Sequence, residues 1–242
     1  MKKMSATRAR AIFRKELREY RRNRQIVVSM AVLPLVFSVY PSIQILALPA
    51  SEAGVLLGKQ PLVYMLALPA IIPAVVVAYS VAGERQQGTL EPVLTTPIRP
   101  EEFLLGKALA ALVPTLAVSY GVLGIFVAAM ALFAQPPVAS ALLTGPALLA
   151  QLLFTPLVAA LSIWAGIAIS ARSSDPRVAT QLSVLASAPL IAVTTTISTG
   201  GIHVSFGLAL ALGAALLVVD GLGWRIVSPM VDRERLITGT RS

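Results

Sequence analysis

Very few side chains in this sequence are of the types that carry out chemistry. The 242 residues include one histidine, His203, and no cysteine. A serine nucleophile needs a histidine base within reach, and we interpret His203, which lies near Ser205, as a histidine of a surface loop instead. A single histidine without cysteines also leaves too few ligands for a zinc centre. The sequence therefore predicts no catalytic residue and no metal site.

A nucleotide site is not expected either. A phosphate-binding loop reads GxxxxGK followed by Ser or Thr, because its backbone amides cradle the phosphates and the hydroxyl binds magnesium. The nearest string, GVLLGKQ at 54–60, is one residue short and ends in glutamine. We therefore expect this chain to hold no cofactor of its own.

The charged side chains are concentrated at the N-terminus and in one internal segment. Residues 83–107, GERQQGTLEPVLTTPIRPEEFLLGK, contain seven charges, and we call this segment the elbow. Its first half has a short apolar face followed by a turn. Pro100 suits the first position of a second helix, and Glu101 and Glu102 then lie in the first turn, where the helix dipole favours carboxylates. The pattern predicts a helical hairpin that meets a partner, since a simple connection needs far fewer residues; a solvated linker is the alternative.

The rest of the chain is apolar enough for a membrane protein. Hydrophobic residues make up 56% and charged residues 13% of the chain, and its mean hydropathy is +0.80. Windows of about 20 residues, the length that crosses the hydrocarbon core, identify six charge-poor spans, of which only the last contains a charge, Asp220. The spans are 26–48, 62–82, 108–133, 147–170, 178–198 and 204–224. We expect an all-α membrane protein with a six-helix domain at 26–228 and a tail at 229–242.

The distribution of basic residues predicts the orientation. Of the 20 lysines and arginines, only Lys59 lies on the side opposite to the termini and the elbow. By the positive-inside rule, both termini and the elbow are cytoplasmic, in a multi-pass protein of the cell membrane. Half of the basic residues lie within the first 24 positions, which suits an anionic membrane face better than a nucleic acid.

Residues 1–25 are expected to form a basic amphipathic helix at the membrane interface. Apolar side chains recur at helical spacing, while arginines occupy most of the other sectors. The apolar positions are Ala9, Ile12, Phe13, Leu17 and Tyr20. Anionic lipids are one expected partner of this helix, and docking against protein is an equal alternative. A cleaved signal peptide is disfavoured because both the polar leader and the apolar run are too long for one.

The elbow closely resembles the cytoplasmic loop between the second and third membrane helices of ABC-2 type permeases, the membrane subunits of ATP-driven exporters. The residues that carry the resemblance are Glu84, Arg85, Gly88, Thr89, Leu90, Glu91, Pro97, Leu105, Gly106 and Lys107. The basic N-terminal helix, the six spans and the short external connections are also similar to that family. The chain departs from the pattern at Arg99 and Pro100, where Ser or Thr would commonly cap the second helix.

The resemblance implies a transport subunit that is not itself an enzyme. In that family the loop forms a coupling helix that docks on a separate ATPase, which would bind ATP and Mg²⁺. A second permease subunit, identical or different, would complete the translocation pathway. The ATPase-coupling residues so implied are Glu84, Arg85, Gly88, Thr89, Leu90, Glu91 and Pro97.

Candidates for the substrate pathway are polar or aromatic side chains within the spans. The resemblance favours spans one, two and five at the subunit interface, so Gln44, Tyr79 and Thr194 come first. Such side chains often bond their own helix instead. The apolar spans favour lipophilic substrates such as drugs, lipids or peptides. In span four, Ser162, Gly166 and Ser170 are four residues apart and predict a close helix-packing seam.

Two alternatives to a general exporter subunit are open. A haem-exporter permease of cytochrome c maturation has a similar size and helix count. An ion-coupled secondary transporter would need a buried acid on the ion path, and Asp220 is the only plausible one.

Overall fold

The computed structural model describes residues 5–86, 88, 98–202 and 205–231, and these are helical without any strand in the described ranges. The side chains of some residues inside the helices, Tyr79 and Arg85 among them, lie outside the description. The helices are α1 (Ala6–Arg22), α2 (Arg24–Leu46), α3 (Ala53–Gly58), α4 (Ala67–Gln86), α5 (Pro100–Phe133), α6 (Pro136–Leu142), α7 (Gly145–Arg172), α8 (Pro176–Ser198) and α9 (Phe206–Val227). Short 3₁₀ turns precede α3 and α4 and follow α9.

The chain is an all-α membrane protein. Five helical stretches of the described chain are long and apolar enough to cross a bilayer: Pro61–Glu84, Pro100–Phe133, Gly145–Arg172, Pro176–Ser198 and Phe206–Met230. A sixth span is present if Pro34–Leu46 and Ala50–Leu56, which meet at 105°, are counted as one broken span. If the two do form one span, its bend follows Leu46, close to residue 48, where the sequence predicts the end of the first span.

Helix α4 lies at the centre of the bundle. Of its most apolar stretch, 88% is buried, whereas none of the corresponding stretch of α9 is buried within this chain. The helices α7 and α8 make the main contacts with α4, and α2 and α5 pack beside it. A movement at either end of α4 is therefore transmitted to most helices of the bundle, because close-packed interiors transmit strain.

Small residues form a close seam between α4 and α7, as the sequence predicted. The hydroxyl of Ser162 donates to the carbonyl oxygen of Ala70 at 2.5 Å. A Cβ atom added at Gly166 would lie 3.3 Å from the side chain of Val77, so the backbones approach closely here. The Ser170 hydroxyl oxygen accepts bonds from two consecutive backbone N–H groups of α4, at 3.0 and 3.2 Å. These bonds fix the register of the two helices as well as their separation.

Two connections at the end of the bundle opposite the elbow contain short helices. Helices α3 and α6 pack on each other and bury the apolar side chains Ala53, Leu56, Val138 and Leu142. The carbonyl oxygen of Leu62 accepts a hydrogen bond from the buried side-chain amide of Gln151. This end of the bundle therefore carries a small apolar cap.

The two ends of the elbow are helical. Helix α4 continues to Gln86, four residues beyond the predicted end of span two. Gly88 has a φ of 66°, a left-handed conformation that glycine adopts without strain. Helix α5 begins at Pro100, where the sequence suggested a helix start. Residue 87 and residues 89–97 lie outside the described residues.

Candidate functional site

Helix α1 docks on the rest of the chain through one face. Ala9, Ile12, Glu16 and Tyr20 are buried, and their spacing of three or four residues places them on one side of the helix. This face packs against α5, so docking against protein, one of the two expected roles of the helix, is present in the structure. Glu16 lies in the middle of the face and was not among the predicted positions, although its spacing from Ile12 and Tyr20 could have indicated burial.

Gly106 allows α1 and α5 to cross at close range. A Cβ atom at this position would lie 2.7 Å from two side-chain carbons of Ile12 and 3.0 Å from the carbonyl oxygen of Ala9. Real Cβ atoms do not approach other atoms so closely, so the crossing requires glycine. Its role here is that of a contact surface for the N-terminal helix.

Immediately after this glycine, Lys107 joins three helices through ion pairs. Its Nζ lies 2.8 Å from Oε1 of Glu16 on α1 and 3.1 Å from Oε2 of Glu84 on α4. The three side chains are 1%, 2% and 6% exposed. Glu84 also forms an ion pair with Lys15, which is partly exposed. We call Lys15, Glu16, Glu84 and Lys107 the charge network.

Mutual pairing keeps Lys15 and Glu16 of the charge network ionised at neutral pH. Burial by itself would raise the pKa of Glu16, but the neighbouring ammonium groups of Lys107 and Lys15 outweigh it and hold this pKa below its usual value of 4.5. Burial would lower the pKa of Lys15, and the carboxylates of Glu84, Glu16 and Glu19 raise it above 10.5 instead. The pKa of Tyr20 is raised well above 10.0 by burial and by the charge of Glu16, so its hydroxyl stays neutral.

A second contact ties α1 to the beginning of α5. Glu102 is fully buried, and its Oε1 accepts a hydrogen bond from the backbone N–H of Ser5 at 2.7 Å. Its Oε2 accepts from the backbone N–H of Arg99 at 3.2 Å and lies 3.4 Å from Nη1 of Arg8. Glu102 thus caps the helix that begins without a Ser or Thr cap, because it supplies the returning half of a capping box.

The charge network leaves no room for a metal ion. Carboxylate oxygens of Glu16, Glu19 and Glu84 lie within 4.8 Å of one another, a spacing that could suit a divalent cation. The ammonium groups of Lys15 and Lys107 already occupy this position and would repel a cation. We interpret the cluster as a structural junction.

The structure places only some of the predicted coupling residues. Glu84 is buried in the charge network, and Gly88 follows the end of α4. Arg85 belongs to α4, but its side chain is not described. The remaining four, Thr89, Leu90, Glu91 and Pro97, lie outside the described residues.

The three predicted pathway residues have different surroundings. Gln44 is exposed on α2, and the side chain of Tyr79 on α4 lies outside the description. Thr194 is buried on α8, and its hydroxyl donates to the carbonyl oxygen of Ile191 at 3.0 Å, within its own helix. This bond is the ordinary use of threonine in an apolar helix.

The chain belongs to the family of ABC-2 family transporter proteins, whose pattern matches residues 10–228. A comparison with curated proteins finds no match. The match runs from α1 to the end of α9 and includes the charge network and the elbow. The protein is therefore the permease of an ABC-type transporter, a membrane transport subunit that is not itself catalytic, and its family associates with an ATP-binding subunit.

Proposed function

We propose that this chain is the permease subunit of an exporter and that a separate ATPase drives it through the elbow. The family match supports the transport role, and the lack of a phosphate-binding loop in the sequence supports a separate motor. The observation that carries the proposal is that α1 holds both ends of the elbow, through Glu84 at the end of α4 and through Glu102 and Lys107 at the start of α5. A loop whose two ends are fixed can transmit a push from outside the membrane.

In this mechanism the ATPase, with ATP and Mg²⁺ bound, engages the middle of the elbow. Thr89, Leu90, Glu91 and Pro97 are the proposed contacts, together with Arg85 and Gly88. Glu84 is a positioning residue within the permease. Its carboxylate is already paired with Lys15 and Lys107, so it holds the end of α4 in place. ATP can bias the transporter only because it binds the two conformations with different affinity.

The force that the ATPase exerts on the elbow reaches the pathway through α4. This helix begins at the far end of the bundle and ends in the elbow, and α7 and α8 are hydrogen-bonded to it at Ala70. A second permease subunit, identical or different, faces this one, and Gln44, Tyr79 and Thr194 are the proposed pathway residues. The apolar character of the spans favours lipophilic substrates.

The proposed complex lies in the cell membrane with both termini and the elbow in the cytoplasm. The alternative hypothesis is an ion-coupled carrier, in which Asp220 would be the titrating acid. Asp220 lies on α9, and one of its carboxylate oxygens is buried without a hydrogen-bond partner among the described residues. The family match favours ATP as the energy source.

The elbow contact is tested by charge reversal at Glu91. We expect Glu91→Lys to lower copurification of the ATPase subunit and the transport-linked ATPase rate by about tenfold, a loss of roughly 1.4 kcal/mol. Glu52→Lys is the matched control, because Glu52 is exposed at the opposite end of the bundle. Equal ATPase recovery and equal transport for both variants would refute the coupling role of the elbow.

A further inference from the structure

A row of arginines lies on α1, away from the face that docks on the rest of the chain. Arg10, Arg14, Arg18, Arg21 and Arg22 are all exposed, and none pairs with a carboxylate among the described residues. Nearby, Arg8 pairs with Glu102, and Lys15 pairs with Glu84 in the charge network. Within the described part of the chain, the row is therefore a cationic surface on the back of the helix that holds the elbow.

The order of side chains around α1 resembles that of a helix at a lipid surface. At about 100° per residue, Phe13 and Leu17 come directly beside the buried face, and Arg10, Arg21 and Arg14 follow them around the helix. Phe13 and Leu17 are half-buried, so part of each stays available for an apolar contact. An apolar edge bordered by guanidinium groups is the arrangement that places a helix between acyl chains and headgroups.

The connection to α2 fixes the depth of this row. Only Asn23 separates α1 from α2, and its side-chain oxygen accepts a hydrogen bond from the backbone N–H of Ile26 at 3.3 Å. Ile26 opens the first apolar span and is 2% exposed. The last turn of α1, with Arg21, therefore lies where the first span enters the bilayer.

We propose that Arg10, Arg14 and Arg21 bind the headgroups of anionic phospholipids in the adjacent leaflet, and that this binding sets the position of α1 and so of the elbow. The lipid contact requires only the permease and does not depend on the proposed function. The effect on the elbow rests on the proposed function, because it passes through Glu16, Lys107 and Glu84 to the ATPase contact. Lipid composition would then control how effectively ATP hydrolysis drives transport.

A lipid surface fits this row better than an acidic protein surface does. A protein partner would need to reach the row at the depth where α1 joins the first span, and lipid headgroups lie at that depth by the connection to α2. An acidic face of the ATPase could instead reach Arg18 and Arg22, which lie farther around the helix. The two partners therefore predict different sensitive arginines.

The lipid contact is tested on the purified permease without any ATPase. Because the chain has no cysteine, Ala11→Cys gives one labelling site for an environment-sensitive fluorophore on the exposed side of α1. The protein is placed in phosphatidylcholine nanodiscs with an increasing fraction of phosphatidylglycerol. We expect a saturable fluorescence change that Arg10→Gln/Arg14→Gln/Arg21→Gln weakens by at least about tenfold, since each basic residue near an anionic surface contributes roughly fivefold.

The control variant Arg172→Gln/Arg177→Gln/Arg225→Gln removes the same charge from exposed arginines elsewhere, and it should respond as the parent does. An equal response of both triple variants would overturn the proposal. So would an equal response to soluble glycerol phosphate, which would indicate a site for a free anion. Loss of the ATPase from the first variant with an unchanged lipid response would assign the row to a protein partner and overturn it as well.

The effect on the elbow needs a second measurement with the ATPase bound. Phosphatidylglycerol should raise the transport-linked ATPase rate of the parent and of the control variant but not of Arg10→Gln/Arg14→Gln/Arg21→Gln. A normal lipid response without any change in ATPase rate would overturn the link between α1 and the elbow. If no ATPase binds the parent protein, the proposed function fails while the lipid result still stands.

Discussion

At the scale of single residues, Lys107 has the largest side chain among the fully buried residues of the described chain. Buried charges are costly unless they are paired, and its ammonium group lies between the carboxylates of Glu16 and Glu84. It also lies 4.8 Å from the centre of the Phe103 ring, where a cation is attracted by the aromatic face. One lysine thus neutralises carboxylates on two helices at once. This makes Lys107 the position of the charge network that is most sensitive to substitution.

Removal of Lys107 should strongly destabilise the protein. We expect Lys107→Met to lower the free energy of unfolding by about 3–5 kcal/mol, because two buried carboxylates lose a partner. Adding Glu16→Gln should recover part of this loss, since one of the two charges is then gone. Lys59→Met, at an exposed lysine, should change stability by less than about 0.5 kcal/mol. Unfolding in detergent measures all three, and additive losses for the double variant would contradict the pairing.

At the scale of elements, α1 is a brace across the two ends of the elbow. It needs the close crossing at Gly106 as well as the charges, because ion pairs of this length form only when the helices touch. The brace contacts residues 69 and 91 positions further along the chain, one at each end of the elbow, and so couples α4 and α5 by a route other than the elbow itself.

Widening this crossing should release α1. Gly106→Val places two methyl groups where Ile12 packs, and overpacking of this kind costs about 1–3 kcal/mol. Maleimide labelling of an Ala9→Cys reporter, at a position 5% exposed, should then become about tenfold faster. Gly121→Val is the control, since nothing lies within 4 Å of a Cβ at that glycine. A reporter that stays shielded in Gly106→Val would mean that the brace does not depend on this contact.

At the scale of the whole molecule, the bundle is unevenly buried. Helix α4 is enclosed, while α9 has no buried stretch within this chain and must be covered by lipid or by another subunit. The charge network lies at one end of the bundle, and the apolar cap of α3 and α6 lies at the other. The predicted orientation follows from the lysines and arginines outside the spans, of which only Lys59 lies at the end of the apolar cap.

The orientation can be tested with two single cysteines of the same kind. Ser51→Cys lies near the apolar cap and Ser174→Cys in the turn between α7 and α8, and both positions are exposed. A membrane-impermeant maleimide added to intact cells should label Ser51→Cys completely and Ser174→Cys only after permeabilisation. The reverse pattern would place the elbow outside the cell and exclude an ATPase-driven mechanism.

The sequence by itself determined the all-α membrane class, the start of α5 at Pro100 and the seam of Ser162, Gly166 and Ser170. These follow from local rules, namely the length of an apolar run, the fixed φ of proline and the four-residue period of a helix face. Tertiary structure decided that Glu16 and Lys107 are buried partners, that α1 packs on α5 and that Ala50–Leu56 lies at 105° to Pro34–Leu46. The physical reason is that a buried charge is stable only beside its opposite, and which distant charge that will be depends on helix crossings that no local pattern contains.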